Sequence, residues 1–150
     1  MRDTLTITRT TTAPRRVLVA EDDAVTMRLV TVILEKEGFV VVPARDGREA
    51  YRILHTDTAF EAAIFDMNMP YLQGLDLVKQ MRTEKRLMRI PVMLMTAEQD
   101  LKFRQEGMAA GAVLFLSKPF TAVQLQTTLR MLVSMGRSNR SKAVMVSQAA

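Results

Sequence analysis

The sequence predicts an α/β fold in which five parallel strands form one sheet with helices packed on both of its faces. Two observations carry this prediction: five short apolar runs recur along the chain, and each run is followed by a stretch of helix length. Strict strand-helix alternation favours right-handed crossovers, which place consecutive helices on the two faces of a parallel sheet. The alternation therefore identifies the fold class.

The five predicted strands are nearly unbroken apolar runs, which is typical of strands buried on both faces. In chain order they are VLVA (17–20), VVV (40–42), AAIF (62–65), VMLM (92–95) and VLFL (113–116).

The predicted helices fill the intervals between these runs. The first covers residues 25–37, where Val25, Leu29, Val32 and Ile33 recur at helical spacing and Gly38 follows as a natural terminator. Two further helices are expected over 75–82 and over 101–110, the latter closed by Gly111.

The two remaining helices begin with a recognisable capping box, in which a side chain at the helix start and one three residues later bond each other's backbone. Asp46 with Glu49 predicts a helix through about residue 56, and Thr121 with Gln124 predicts the last helix. A helix is thus predicted after each of the five apolar runs.

Composition limits the possible classes of protein. A chain of 150 residues with 48% hydrophobic and 25% charged content fits one globular domain with a sizeable core. It contains no cysteine, which excludes disulfides and Cys-based zinc sites. No apolar stretch approaches the roughly 18 residues of a membrane span, and the N-terminus lacks the apolar run of a signal peptide. We expect a soluble, cytoplasmic protein.

The net charge of +5 is concentrated at the two ends of the chain. Residues 1–16 carry a net charge of +3 and residues 137–150 another +3, whereas residues 17–136 carry −1. Both ends are rich in Thr, Ser, Ala and Arg with little periodicity, which favours disordered basic tails over a specific anion-binding surface. We therefore expect a single domain over 17–136.

Polar side chains follow four of the five apolar runs. They are Glu21, Asp22 and Asp23 after the first, Asp66 after the third, Thr96 after the fourth, and Ser117 and Lys118, which precede Pro119, after the fifth. Because ligand sites of parallel sheets lie at the carboxyl ends of the strands, we expect these residues to share one edge.

Taken singly, most of these residues have an ordinary structural explanation. Asp23 is favoured as a helix N-cap, Thr96 could cap the next helix, and Lys118 resembles a solvated loop cation. The sole histidine, His55, falls within the second helix and is expected at the surface or in packing. Asp66 is different, because a carboxylate directly after a buried strand is partly desolvated and needs a cation to stay ionised.

Bringing Glu21, Asp22 and Asp66 together requires positive charge between them. Two carboxylates 4 Å apart repel by about 4 kcal/mol at an effective dielectric constant near 20. Oxygen ligands of this kind favour Mg²⁺ over zinc. A carboxylate nucleophile beside a metal, a hydroxyl and an ammonium group matches the chemistry of phosphoryl transfer.

At these residues the sequence resembles a response-regulator receiver domain of two-component signalling. The motifs are VLVAEDD, FDMNMP with Gly74, MTAE and FLSKPF, and the resemblance runs from about Val17 to Met135. The spacings of 44 residues from Asp22 to Asp66, 30 from Asp66 to Thr96 and 52 from Asp66 to Lys118 are also similar to those of the family. The resemblance implies the flavodoxin-like receiver fold with strand order 2-1-3-4-5.

The resemblance also implies the roles of individual residues. Asp66 is the expected phosphoacceptor, with Lys118 and Thr96 holding the phosphoryl oxygens. Asp22 and Asp66 are expected to bind Mg²⁺ directly, the backbone carbonyl of Asn68 is the expected third ligand, and Glu21 is expected to act mostly through water.

A second set of expectations from the family concerns signalling. Thr96 and Phe115 are the expected switch pair, with a readout face formed by the fourth helix, fifth strand and fifth helix. The Lys118-Pro119 peptide bond is expected to be cis. Such a domain is not an enzyme acting on a separate substrate; it catalyses only its own phosphorylation and dephosphorylation.

The loop after the acceptor departs from the family, because Gln73 stands where many receivers have an acidic residue. Asn68 and Glu98 flank the expected phosphoryl position, where they are expected to tune the rate at which water removes the group. Phe115 lacks the hydroxyl that a tyrosine would offer.

The expected partners are a histidine kinase or histidine phosphotransfer protein and a downstream target protein. About 14 residues follow the last predicted helix, too few for a DNA-binding module, so a stand-alone receiver in a phosphorelay or a chemotaxis-type pathway is expected. A receiver cut from a longer regulator, a pseudo-receiver that works without phosphorylation and a haloacid-dehalogenase-like phosphatase are the alternatives. The phosphatase alternative is weakened by Asn68, because the haloacid-dehalogenase family has a D-x-D pattern and Asn68 stands at the position of its second aspartate.

Overall fold

The computed structural model describes residues 13–97, 101–112 and 114–149. The strands are β1 (Arg16–Ala20), β2 (Val40–Ala44), β3 (Ala62–Asp66), β4 (Val92–Thr96) and β5 (Leu114–Ser117). The helices are α1 (Ala24–Lys36), α2 (Gly47–Thr56), α3 (Gly74–Met81), α4 (Leu101–Ala110) and α5 (Ala122–Ala149). All ten predicted elements are present, most with bounds within a residue or two of those expected.

The strands form one parallel sheet in the order β2-β1-β3-β4-β5, which confirms the predicted fold class. The register aligns the carboxyl ends of neighbouring strands, so that Asp66 lies opposite Met95 and Thr96 lies opposite Ser117. The residues that follow the strands are therefore gathered at one edge of the sheet.

Each face of the sheet carries its own hydrophobic core, because side chains alternate between the faces along every strand. Leu18, Phe65 and Leu94 belong to the core beneath α2, α3 and α4, and Ile64 and Met93 to the core beneath α1 and α5. Strand β3 is buried along its whole length, so Asp66 is anchored in a rigid central strand.

The predicted caps are confirmed. Asp46 accepts a hydrogen bond from the Glu49 backbone N–H at 2.8 Å. At the start of α5, Gln124 N–H donates to the Thr121 hydroxyl oxygen at 3.1 Å, and Thr121 N–H donates to the Gln124 side chain at 2.9 Å. These bonds satisfy backbone donors that the first turn of a helix leaves without partners.

Strand β2 is less buried than its apolar sequence predicted. It lies at the edge of the sheet and pairs only with β1, and Val40 is 49% exposed. The edge position also accommodates Pro43, which has no N–H to donate to a second neighbour.

Of the four apolar residues whose spacing predicted helix α1, Ile33 is buried and the other three are exposed. Val25, Leu29 and Val32 are 76%, 46% and 44% exposed, while Val30 and Leu34 are fully buried. The helix has apolar residues on two sides, and spacing alone cannot tell which side meets the sheet. An apolar strip is thus left on the surface.

Helix α5 continues to Ala149, whereas the sequence predicted a tail from residue 137 onward. Residues 1–12 of the N-terminal tail and the position of Glu98 lie outside the described residues. The division into a domain over 17–136 and two tails stays a prediction. Within the described residues, none of the helices combines the length and hydrophobicity that crossing a membrane requires.

Candidate functional site

Asp66 is the last residue of β3 and the point at which the chain leaves the sheet. The loop beyond it stays attached to the sheet edge, because Met67 N–H donates to the Met95 carbonyl oxygen at 2.8 Å. Asn68 N–H donates to the Asp66 carboxylate at 3.2 Å. With Asp66 only 5% exposed, its carboxylate is held by a buried strand behind it and by backbone contacts in front.

Gly74 allows helix α3 to start immediately beside the end of β3. A Cβ atom at this position would lie 2.3 Å from the backbone oxygen of Asp66, well inside contact distance. Gly74 N–H also donates to the Met67 carbonyl oxygen at 3.3 Å. The segment from the strand end to Gly74 is therefore a closed turn that requires a residue without a side chain at its end.

Three carboxylates meet at the edge. Ligand oxygen atoms of Glu21, Asp22 and Asp66 all lie within 4.8 Å of one another. Glu21 is 1% exposed, whereas Asp22 is exposed to solvent. The site is thus a partly buried acidic group that is open on the side of Asp22.

Lys118 joins two of these carboxylates. Its ammonium nitrogen lies 2.7 Å from Glu21 Oε1 and 3.1 Å from Asp66 Oδ2. The backbone N–H of Lys118 donates to the carbonyl oxygen of Thr96 at 2.8 Å, and the Lys118-Pro119 peptide bond is cis as expected. Lys118 therefore occupies the acidic site and does not extend into bulk solvent.

Burial and pairing oppose each other in this cluster. Desolvation raises the pKa of Glu21, although the hydrogen bonds from Lys118 and from the backbone N–H of Asp23 act in the opposite direction. Burial acts to lower the pKa of Lys118, but the contacts with Glu21 and Asp66 outweigh it, and the pKa is raised. The ammonium group is thereby stabilised in its charged form.

The donor set fits a hard divalent cation. Lys118 offsets one of the three carboxylate charges, which leaves two negative charges in a partly buried site. The ligands are all oxygen atoms, as Mg²⁺ prefers, and the described residues bring no second cationic side chain into the cluster within salt-bridge distance. The arrangement can hold a divalent ion and, next to it, an anionic group.

The other predicted residues lie close to this edge or have structural roles. Thr96 ends β4 and is 1% exposed, and Phe115 is a half-buried residue of β5 that packs against the core. Asp23 caps α1 through the Thr26 N–H at 2.9 Å, as expected. His55 is exposed, contacts the Tyr51 ring and lies outside the acidic cluster.

One feature of the loop was not anticipated from the sequence. Tyr71 has a φ of +68°, a left-handed conformation that costs a non-glycine residue free energy, and its ring is 74% exposed. The guanidinium carbon of Arg48 lies 4.2 Å from the ring centroid. A tyrosine in a turn carries no local signal for this conformation, unlike the glycine or asparagine that usually adopts it.

The comparison with protein families decides the classification. The family model for the response regulator receiver domain matches residues 17–130, about three quarters of the chain. The chain belongs to the response regulator receiver domain family. Its recognition from the motifs is thereby confirmed.

Characterised relatives include both regulators and chemotaxis proteins. The chain is 36% identical over 118 residues to the transcriptional regulatory protein TctD of Salmonella typhimurium, covering 79% of this chain and 51% of TctD. It is 33% identical over 112 residues to the chemotaxis protein CheY of Pseudomonas aeruginosa, covering 74% and 90%. The chain thus spans about half the length of the transcriptional regulators that it matches.

Solved structures agree in fold. Chemotaxis protein CheY4 of Vibrio cholerae is 33% identical with a TM-score of 0.75, over 80% of this chain and 99% of CheY4. The receiver domain of the sensor histidine kinase PA1611 of Pseudomonas aeruginosa is 26% identical with a TM-score of 0.74, over 81% and 99%. That structure has a magnesium ion coordinated in its active site cleft.

Proposed function

We propose that this receiver domain accepts a phosphoryl group on Asp66. The observation that carries the proposal is the placement of a nearly buried carboxylate 3.1 Å from the Lys118 ammonium group, with two further carboxylates within 4.8 Å. A nucleophile beside a fixed cation, at the carboxyl edge of a parallel sheet, is suited to attack on phosphorus.

The bonds that form and break belong to the chain and to a phosphodonor, with Mg²⁺ as the cofactor. A carboxylate oxygen of Asp66 forms a bond to phosphorus while the bond from phosphorus to the nitrogen of a donor phosphohistidine breaks, and the imidazole leaves. Lys118 balances negative charge on the phosphoryl oxygens, and the Thr96 hydroxyl donates a hydrogen bond to one of them. Later attack by water on phosphorus breaks the bond to the Asp66 oxygen, releases inorganic phosphate and restores the carboxylate, so the domain catalyses only its own modification.

Mg²⁺ is the cofactor that the acidic group fits. Asp22, Asp66 and the backbone carbonyl of Asn68 are the proposed ligands, with Glu21 acting through water. When bound, the ion supplies positive charge that draws the phosphoryl oxygens towards the site. Because Glu21 is buried and paired with Lys118, its part is to hold the lysine in place as much as to attract the metal.

The proposed output depends on Thr96 and Phe115. Movement of Thr96 towards a phosphorylated Asp66 opens space into which the aromatic ring turns, and the surface of α4, β5 and α5 changes with it. Phosphorylation shifts this equilibrium only by as much as it binds one arrangement better than the other.

The exposed apolar strip on α1 supports a protein as the phosphodonor. Val25, Leu29 and Val32 belong to the helix that follows Glu21 and Asp22, so a partner that covers the strip also reaches the acceptor site. A histidine kinase or a histidine phosphotransfer protein is the proposed partner, in the cytoplasm, where such partners present their phosphohistidine.

The pathway is also a proposal. A stand-alone role, in a phosphorelay or of the chemotaxis type, is supported by the coverage of CheY. The receiver of a longer regulator is supported equally by the match to half of TctD, so the downstream target and the size of the whole protein stay predictions.

Intact-protein mass spectrometry after incubation with acetyl phosphate tests the proposal. We expect a mass increase of one phosphoryl group that requires Mg²⁺ and is lost in Asp66→Asn. Glu35→Gln, which removes an exposed carboxylate of α1, is the matched control and should be modified like the wild type. No modification of the wild type would favour a pseudo-receiver, and multiple turnover of a small phosphate ester would revive the phosphatase alternative.

A further inference from the structure

The ring of Phe115 lies against the backbone of helix α4 at a position occupied by glycine. A Cβ atom on Gly107 would be 2.5 Å from Phe115 Cζ and 2.8 Å from Cε1, and 3.2 Å from Leu94 Cδ1. Carbon atoms that are not bonded pack at about 3.5–4.0 Å. The tip of the ring therefore fills the volume that a side chain at position 107 would need.

Glycine at this position lowers the stability of the helix, so its presence suggests that the space left by the missing side chain is needed. Gly107 is buried in α4 (Leu101–Ala110), three residues before the end of the helix. Within a helix, glycine is less favourable than alanine. Space for the aromatic ring is the compensating feature that the structure displays.

A second contact fixes the same helix face against the same strand. Arg104 Nη2 donates to the Ser117 hydroxyl oxygen at 3.1 Å. Arg104 and Gly107 are three residues apart on one face of α4, and Phe115 and Ser117 are two residues apart on one face of β5. Helix α4 thus contacts β5 at two successive points. At one of these points, the ring of Phe115 sets the distance between the helix and the strand.

We propose that Gly107 is a positioning residue of the switch, which provides the seat for the ring of Phe115. This inference rests on the proposed function of Phe115 and extends it to a residue of α4. A Cβ at position 107 must either turn the ring away from α4 or push α4 away from β5. Both changes disturb the packing between α4 and β5 in which the ring moves when Thr96 closes on a phosphorylated Asp66.

A double-mutant cycle on urea unfolding tests the seat without any phosphorylation. Gly107→Ala should lower the urea midpoint in the wild type, because the ring is displaced. It should raise the midpoint in a Phe115→Ala background, because the seat is empty and alanine favours the helix. Ala109→Gly, an exposed helix control, should lower the midpoint by the same amount in both backgrounds.

The sign of the shift decides the outcome. A shift of Gly107→Ala in the same direction in both backgrounds would overturn the proposal. If the Gly107→Ala variant folds only when Phe115→Ala is also present, the result supports the proposal in the same way as a reversal of sign. Failure to fold in both backgrounds would count against it.

The effect on the switch is tested by the rate of phosphorylation from acetyl phosphate with Mg²⁺. We expect Gly107→Ala to slow the reaction severalfold, and the double variant with Phe115→Ala to react as fast as Phe115→Ala alone. A merely structural glycine would give no such rescue. An unchanged rate in Gly107→Ala would overturn the positioning role even where the unfolding cycle shows the seat. If the wild type itself is not phosphorylated, the proposed function fails, and the unfolding cycle still reports separately on the packing.

Discussion

Neutralising Asp66 should stabilise the metal-free protein, because repulsion outweighs attraction at this carboxylate. Its oxygen atoms lie within 4.8 Å of those of Glu21 and Asp22 and 3.1 Å from the Lys118 nitrogen. At an effective dielectric constant of about 20, each repulsion is worth about 3.5 kcal/mol and the attraction about 5 kcal/mol. The two repulsions together exceed the attraction by about 2 kcal/mol.

The expected gain in the free energy of unfolding for Asp66→Asn is about 1 kcal/mol in EDTA, since solvent around Asp22 screens part of its repulsion. The asparagine keeps an oxygen that accepts the hydrogen bond from the Asn68 N–H. Added Mg²⁺ should stabilise the wild type more than the variant, because binding to the folded state adds to its stability.

Urea unfolding followed by circular dichroism, with EDTA and with Mg²⁺, measures both effects. Glu35→Gln serves as the control for a loss of one negative charge outside the site. A variant that is less stable than the wild type in EDTA would refute the reasoning, because the contact with Lys118 would then dominate the electrostatics of the cluster.

Three further outcomes are expected. Asp22→Ala should weaken Mg²⁺ binding by about tenfold or more, measured by titration calorimetry, since it removes one of few carboxylate ligands; unchanged affinity would exclude Asp22 from the site. Arg82→Met should lower the free energy of unfolding by about 2–4 kcal/mol, because the guanidinium group donates to the carbonyl oxygens of Gly111 at 2.8 Å and Ile90 at 3.3 Å; a loss below about 1 kcal/mol would contradict this. The hydrogen bond from Arg16 lowers the pKa of Asp57 in the folded protein. The small stabilisation from this ion pair is therefore fully present above the pKa that Asp57 has in the unfolded chain. It is lost as the pH falls through the lower pKa of the folded state. The wild-type advantage in urea midpoint over Asp57→Asn should therefore shrink in acid, and a constant difference between pH 6 and the acid limb would contradict the assignment.

Much of the fold follows from local sequence, and particular residues show why. Runs such as AAIF and VMLM form fully buried strands because a central parallel strand needs apolar side chains on both faces. The caps at Asp46 and Thr121 depend on residues three positions away, so their signals are also local.

The incorrect expectations depend on tertiary arrangement. The apolar spacing in α1 predicted the helix but not which of its side chains the sheet covers, and Val25 and Leu29 are exposed while Ile33 is buried. The exposure of Val40 follows from the edge position of β2, which is set by strand order and not by the run itself. Neither could be read from a single segment.

Some features of the candidate site can likewise be predicted from the sequence, and others depend on the tertiary arrangement. The positions of Asp66 and Lys118 at strand ends are visible in the sequence, and the fold brings them within 3.1 Å. The pairing of Lys118 with Glu21 and the seat of Phe115 on Gly107 join residues from distant segments at distances that no spacing rule encodes. Such contacts become apparent only when the sheet and helices are assembled.

Locating the phosphoryl group is the most direct test of the central claim. After reaction with acetyl phosphate and Mg²⁺, reduction with borohydride converts an acyl phosphate to the alcohol, and tandem mass spectrometry of the peptide containing FDMNMP identifies the altered residue. We expect modification at Asp66 alone. Modification at Asp22, at Asp23 or at a residue outside the acidic group would contradict it.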